Sequence, residues 1–231
     1  KIKNYLKKKK ITLIEDDAHS HGATFGSLKA GNIGDFGCFS FYSTKIMTTG
    51  EGGMITVNSK DKYEKCSSIR SRGMDINRKE ELFINLGSNY RVTEFQALLG
   101  TYQLKRLDEF ILHRNKIANI YKDQFENLID RNILRLQNPA KNSRHAYWRF
   151  IVFLEHHNRD IIKKKLRSYN IKSDAPYDPL LHKQPIFKRF KKRKYTNAEK
   201  LSSTHISLPM NKLISENDAK FIAKTLVKLL V

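Results

Sequence analysis

The chain has 231 residues, 39% hydrophobic and 10% aromatic, enough apolar surface for one large or two modest domains, which excludes a disordered or fibrous chain. Lys and Arg outnumber Asp and Glu by 44 to 23, a formal net charge of +21. No apolar run approaches a membrane span, and the opening KIKNYLKKKK lacks the apolar stretch of a signal peptide, so a cytoplasmic protein with no membrane partner is expected.

The first ten residues read as the end of a helix, and ITLIE (Ile11 to Glu15) as a buried strand of parallel type. Because the chain opens on Lys and reaches this strand almost at once, an upstream N-terminal segment is expected. The glycine-punctuated stretch Gly22 to Gly37 is too broken for a helix. GCFSFY (Gly37 to Tyr42) and GMITV (Gly53 to Val57) are short β-branched or aromatic runs, hence strands. Asp61 to Ser71 reads as a helix closed by Gly73. Thr93 followed by Gln96 is a capping box, after which Phe95, Leu98, Leu99 and Tyr102 share one helical face. A longer helix follows from about Leu107 to Ile129, with Phe110, Arg114, Ile117, Tyr121 and Leu128 at helical spacing. Then come a strand (Tyr147 to Leu154), a helix (Asp160 to Tyr169), a loop and a last helix. That helix is capped near Ser215 and carries Ala219, Ile222, Ala223, Leu226 and Leu230 on one stripe. This order predicts an α/β fold in two parts, residues 1–106 and a smaller α/β unit over residues 107–231.

The positive charge has two readings. Clustered lysines suit the phosphates of a nucleic acid, but the charge is spread out apart from Lys7 to Lys10 and KRFKKRK (Lys188 to Lys194), and no zinc-finger or RNP-like pattern accompanies it. We therefore read it as a solvated surface, part of which attracts an anionic substrate, and expect no nucleic-acid partner. Cys38 and Cys66 are too few for a disulfide framework or a zinc site and read as small core residues.

The chemistry concentrates between Ile14 and Gly53. EDDAHSHGA places acids at the carboxyl end of a strand, where open α/β sheets bind ligands, and SFYSTK (Ser40 to Lys45) precedes a flexible TTGEGG. Each piece alone has a plainer reading. Asp16, His19 and His21 could ligate a metal, Asp17 could cap a turn, Lys45 could be a surface lysine, and the glycines could be ordinary turns. Together they meet the needs of a pyridoxal enzyme. A carboxylate must face the pyridine nitrogen, a lysine must bond to the aldehyde and move protons, and a hydroxyl with backbone amides must hold the phosphate.

The stretch IEDDAHSHGATFGSLKAGNIGDFGCFSFYSTKIMTTGEGGMI resembles the signature of the DegT/DnrJ/StrS family of sugar aminotransferases, which have the aspartate aminotransferase fold. So does GSNYRVTEFQALLGTYQLKRLDEFILHRNKIANIY, and weaker similarity continues through YDPLLH and ISLPM. The resemblance implies the remainder of a large domain with a mainly parallel sheet, followed by a smaller C-terminal α/β domain. It implies pyridoxal 5'-phosphate held by Asp16 at the pyridine nitrogen, His19 at the ring hydroxyl, Ser40 at the phosphate and Lys45 as the lysine bonded to the aldehyde. Asn89 would reach the phosphate of a partner subunit's cofactor, which implies a homodimer with shared sites; its plainer role is to cap the helix that follows. His182 and Arg91 would face the substrate, although Arg91 suits a structural ion pair equally well. The implied reaction takes an amino group from L-glutamate to a nucleotide-linked keto sugar. The alternatives are a non-catalytic remnant and a basic nucleic-acid-binding protein. The phosphate loop and ring-stacking aromatic that the family carries before this stretch have no counterpart in the sequence.

Overall fold

The computed structural model describes residues 2–78, 80–190 and 193–231. Lys1 of the opening helix and Lys191 and Lys192 of the second basic run therefore lie outside the described residues. The first part of the chain runs α1 (Ile2–Lys8), β1 (Ile14–Asp16), β2 (Thr24–Phe25), β3 (Leu28–Lys29), β4 (Phe36–Ser40), β5 (Gly53–Val57), α2 (Lys60–Arg70), α3 (Glu94–Lys105) and α4 (Leu107–Asp130). It continues with β6 (Leu134–Leu136), β7 (Ser143–Arg144), β8 (Phe150–Leu154), α5 (Arg159–Ser168), α6 (Thr196–Thr204), β9 (His205–Leu208) and α7 (Glu216–Leu230). These elements form two compact units, Lys1–Ile111 with Ala140–Trp148, and Leu112–Pro139 with Arg149–Val231.

The first unit is built on a sheet in the order β1-β4-β5. β1 and β4 run parallel, with Asp16 opposite Cys38, whereas β4 and β5 are antiparallel from Phe36–Val57 to Ser40–Gly53. The sheet is thus mixed rather than mainly parallel. Segment 17–35 is long enough to carry the chain back for a parallel strand, while segment 41–52 returns directly and forces antiparallel pairing. β1 is parallel as expected but not buried: it is an edge strand and Ile14 is 61% exposed. Within the glycine-punctuated stretch, β2 pairs with both β3 and β7, so residues 143–144 join this unit as a strand.

Local signals set the helix ends. Ser59 caps α2 by accepting from the Lys62 N–H, and Thr93 and Gln96 complete the expected capping box on α3. Gly73 sits at φ +85° with the Asn85 carbonyl where a side chain would go, so only glycine fits that close approach. The apolar face of α3 is formed but uncovered, since Phe95, Leu98, Leu99 and Tyr102 are all exposed.

The second unit packs helices on the antiparallel sheet β6-β8-β9. Val152, Leu154 and Ile206 of the sheet are fully buried, as are Ile117, Tyr121 and Phe125 of α4 and Ala219, Ala223 and Leu226 of α7. Each such large apolar side chain contributes about 1.5–3 kcal/mol on burial. The Tyr121 hydroxyl donates to the Pro209 carbonyl at 2.6 Å, which satisfies the one polar atom of that ring. Arg114, at a helical spacing with these residues, is half-buried, and burial pushes its guanidinium down to about 10. The last helix has the expected stripe, and Ser215 with Asp218 forms its capping box. β8 begins at Phe150, later than expected, because Tyr147 lies at φ +48°, outside any strand conformation.

Candidate active site

Parallel pairing delivers two loops to one end of the first sheet, at the carboxyl ends of β1 and β4. The Asp17 N–H donates to the Cys38 carbonyl at 2.9 Å, so the chain after β1 and the chain after β4 leave side by side. The three consecutive acids then take three different jobs. Glu15 turns to the following loop and accepts from the N–H groups of Gly31, Ile33 and Gly34 at 3.2, 2.7 and 2.6 Å. Asp16 is exposed and accepts from the Ala18 N–H at 3.2 Å, leaving acceptor capacity for a ligand. Asp17 is only 4% exposed and one of its oxygens has no hydrogen-bond partner. Burial, helped by the negative charges of Glu15 and Asp16, pushes its carboxyl up to about 6.

On the β4 side, Ser40 is half-buried and its Oγ accepts from the Tyr42 N–H at 3.4 Å. The TTGEGG segment, expected to be flexible, is laced to Phe41 instead. Phe41 donates to the Gly52 carbonyl at 2.8 Å, and its own carbonyl accepts from the Thr49 N–H and the Thr48 hydroxyl at 2.9 and 3.0 Å. Gly50 and Gly52, at φ +81° and +148°, make this tight return possible.

The turn between Phe41 and Ile46 presents Lys45, whose N–H donates to the Tyr42 carbonyl at 3.0 Å. Its Nζ lies 5.0 Å from the centre of the Trp148 ring. On that same indole the His19 imidazole stacks at 3.6 Å and 8°. The structure therefore brings Lys45 and His19 together through Trp148, a residue that sequence reasoning did not single out. The available signal was modest: Trp148 is the only tryptophan of the chain. Beneath this group His21 is 2% exposed, with the rings of Phe39 and Phe41 at 5.5 and 5.9 Å. No well-formed hydrogen bond reaches either of its ring nitrogens. Burial, against a pull from the Ser40 backbone and with the nearby charges of Lys45 and His19, pushes its imidazole down to about 4. Among the described residues no three His, Cys, Asp or Glu side chains converge as metal ligands.

Asn89 and Arg91 lie together on the surface of the first unit, where the Arg91 Nε donates to the Asn89 Oδ1 at 2.8 Å. Asn89 also bridges to Ser71 in an isolated antiparallel pair, and the cap of the next helix is Thr93 rather than Asn89. His182 belongs to the second unit, in the 3-10 turn Leu181–Lys183. Its Nε2 lies 3.3 Å from the Glu199 Oε1, and its ring is 4.5 Å from that of Tyr195.

The sequence profile of the DegT/DnrJ/EryC1/StrS aminotransferase family matches residues 1–227. The GDP-perosamine synthase of Caulobacter vibrioides is 34% identical over 224 residues, which cover 96% of this chain and 59% of that protein. A UDP-4-amino-4,6-dideoxy-N-acetyl-beta-L-altrosamine transaminase of Campylobacter jejuni is 31% identical over 231 residues, 99% of this chain and 61% of that protein. The chain thus spans about three fifths of the length of these relatives. The crystal structure of an aminotransferase from Psychrobacter cryohalolentis superposes with a TM-score of 0.87 at 26% identity, over 99% of this chain and 64% of the other.

Proposed function

The chain belongs to the DegT/DnrJ/EryC1/StrS aminotransferase family, and from that premise we propose that it acts as a pyridoxal-phosphate-dependent aminotransferase on a nucleotide-linked keto sugar, with L-glutamate as amino donor. The observation that supports this reading is the parallel pairing of β1 and β4, whose shared carboxyl end carries Asp16 and Ser40, with Lys45 in the loop that follows. That donor set fits the cofactor: a carboxylate for the pyridine nitrogen, a hydroxyl for the phosphate, an amine for the aldehyde. When bound, pyridoxal phosphate supplies an electron sink that stabilises negative charge at the carbon bearing the amino group.

The residues of the chain do the rest. Asp16 holds a proton on the ring nitrogen through charge, because a carboxylate left exposed at the sheet edge is ready to pair with a cation. Ser40 orients the phosphate, and His19 contacts the ring hydroxyl. Lys45 would hold the cofactor through its aldehyde, and its amine, once freed, would carry a proton at the reacting carbon. His182 and Arg91 contact the sugar nucleotide, whose diphosphate also suits the positive net charge. Asn89 completes the phosphate site of a second subunit in a homodimer, and the uncovered apolar face of α3 beside it supports such an interface.

The relatives above are named for a GDP-linked and a UDP-linked amino sugar, which supports a nucleotide sugar as substrate, and surface polysaccharide, such as O-antigen, is the destination that goes with this reading. A cytoplasmic location follows from those substrates, and no described helix is long and apolar enough to cross a membrane. The reading is tested by supplying 15N-labelled L-glutamate with a panel of nucleotide-linked keto sugars. Label appearing in an amino sugar supports it; label that stays in glutamate across the panel contradicts it.

A further inference from the structure

Trp148 reaches the site from segment 140–148, beyond α4, and makes three kinds of contact there. Its indole N–H donates to the Thr44 carbonyl at 2.7 Å, which fixes the ring against the backbone directly before Lys45. The His19 imidazole stacks on it at 3.6 Å and 8°, and the Lys45 Nζ stands 5.0 Å from its centre. It also packs on the buried group of Ile46, Ile111 and Ala146, so its own position is braced. Besides the hydrocarbon that braces it, the indole thus meets an imidazole and the Lys45 amine, which a purely core-filling ring would not.

We propose that Trp148 is a positioning residue that holds the Lys45 amine and the His19 imidazole in a fixed relation beyond the carboxyl ends of β1 and β4. A lysine has four side-chain torsions, and holding its amine over a braced ring removes much of the freedom it must otherwise lose before it reacts. The ring also screens one side of the amine, 5.0 Å from its centre, so taking the ring away leaves the amine more accessible.

The test uses the full chain. Trace acetylation with acetic anhydride, followed by peptide mass spectrometry, gives the reactivity of Lys45 relative to Lys60, whose side chain is 84% exposed. In Trp148→Leu that ratio is expected to rise about two- to fivefold, and in Trp148→Phe, which keeps a ring face, to stay near the wild-type value. A folded Trp148→Leu protein with an unchanged ratio overturns the proposal. A second measurement needs no variant, because the emission comes from one tryptophan. Titration with pyridoxal phosphate should quench Trp148 emission in step with covalent capture at Lys45; capture with unchanged emission also overturns it. This second arm rests on the cofactor reading above. A wild-type chain that captures no pyridoxal phosphate contradicts that reading alone, and the acetylation ratio still judges Trp148.

Discussion

The Glu15 carboxylate accepts from the Gly34 N–H at 2.6 Å and so ties the strand that carries Asp16 to the loop that leads into β4. The same carboxylate also receives Gly31 and Ile33, which makes it the anchor of the whole turn. Glu15→Ala leaves three backbone donors without this partner and is expected to cost about 2–3 kcal/mol of stability. Glu15→Gln keeps one acceptor oxygen and should cost about 1 kcal/mol. Chemical denaturation checks the order; equal stability of Glu15→Ala and the wild type would contradict this anchoring role.

Gly37 tests how closely the same turn approaches the sheet. A Cβ there would lie 2.4 Å from the Gly31 Cα and 2.6 Å from the Thr56 Oγ1, and the backbone atom cannot swing aside. Gly37→Ala is expected to lower stability by about 1–3 kcal/mol through overpacking. Gly50→Ala, with nothing within 4 Å, tests a different cost, that of φ +81° alone, at about 1–2 kcal/mol.

Asp17 and His21 give opposite pH signatures. The folded state holds Asp17 at about 6 against 3.8, so between those values the folded chain keeps a proton that the unfolded chain has lost, and stability falls as pH rises. His21 is held at about 4 against 6.5, so there the unfolded chain binds the extra proton, and stability rises with pH. Each displacement corresponds to on the order of 3 kcal/mol, and the two largely offset between about pH 4 and 6. Asp17→Asn should therefore expose a stability that climbs with pH across this window, and His21→Gln one that declines. Unfolding midpoints measured from pH 4 to 7 in both variants decide it, and parallel slopes would count against the buried pair.

Much of this architecture was legible locally. GMITV coincides with β5, and the Thr93–Gln96 capping box and the cap at Ser215 are short-range patterns; that Asp218 completes a second box is seen only in the structure. Asp16 and Lys45 could be proposed from the sequence because the motifs that contain them are contiguous. What stayed hidden depends on tertiary contacts. Nothing in EDD distinguishes Glu15 as a loop anchor from Asp17 as a buried acid until the loop is folded over them. Trp148 meets Lys45 only because residues 140–148 return to the first unit, and the positive φ of Tyr147 that shortens β8 leaves no signature in residue type. HISL falls in the stretch read as a loop, yet it forms β9 by pairing with β8.

Shared sites make a quantitative prediction. If Asn89 serves the partner subunit's cofactor, mixing inactive Lys45→Ala with inactive Asn89→Ala gives hybrids with one doubly defective site and one intact site. Activity should return to about a quarter of wild type on random exchange of subunits. Failure to recover activity, with exchange demonstrated by native mass spectrometry, would show that Asn89 acts within its own subunit.

Asp16→Asn should still take up pyridoxal phosphate, at reduced affinity, while turnover falls by about 10²-fold or more, because the ring nitrogen loses the charge that keeps it protonated. Single-turnover rates separate the two effects, and near wild-type rates would remove Asp16 from this role.

The central claim, that Lys45 carries the cofactor of an aminotransferase, is met most directly by borohydride reduction after addition of pyridoxal phosphate, followed by peptide mapping. One modified lysine is expected, Lys45, whose labelling disappears when L-glutamate is added before the reductant, since the donor displaces the amine. Label on surface lysines in place of Lys45, or label on Lys45 that L-glutamate does not remove, would contradict it.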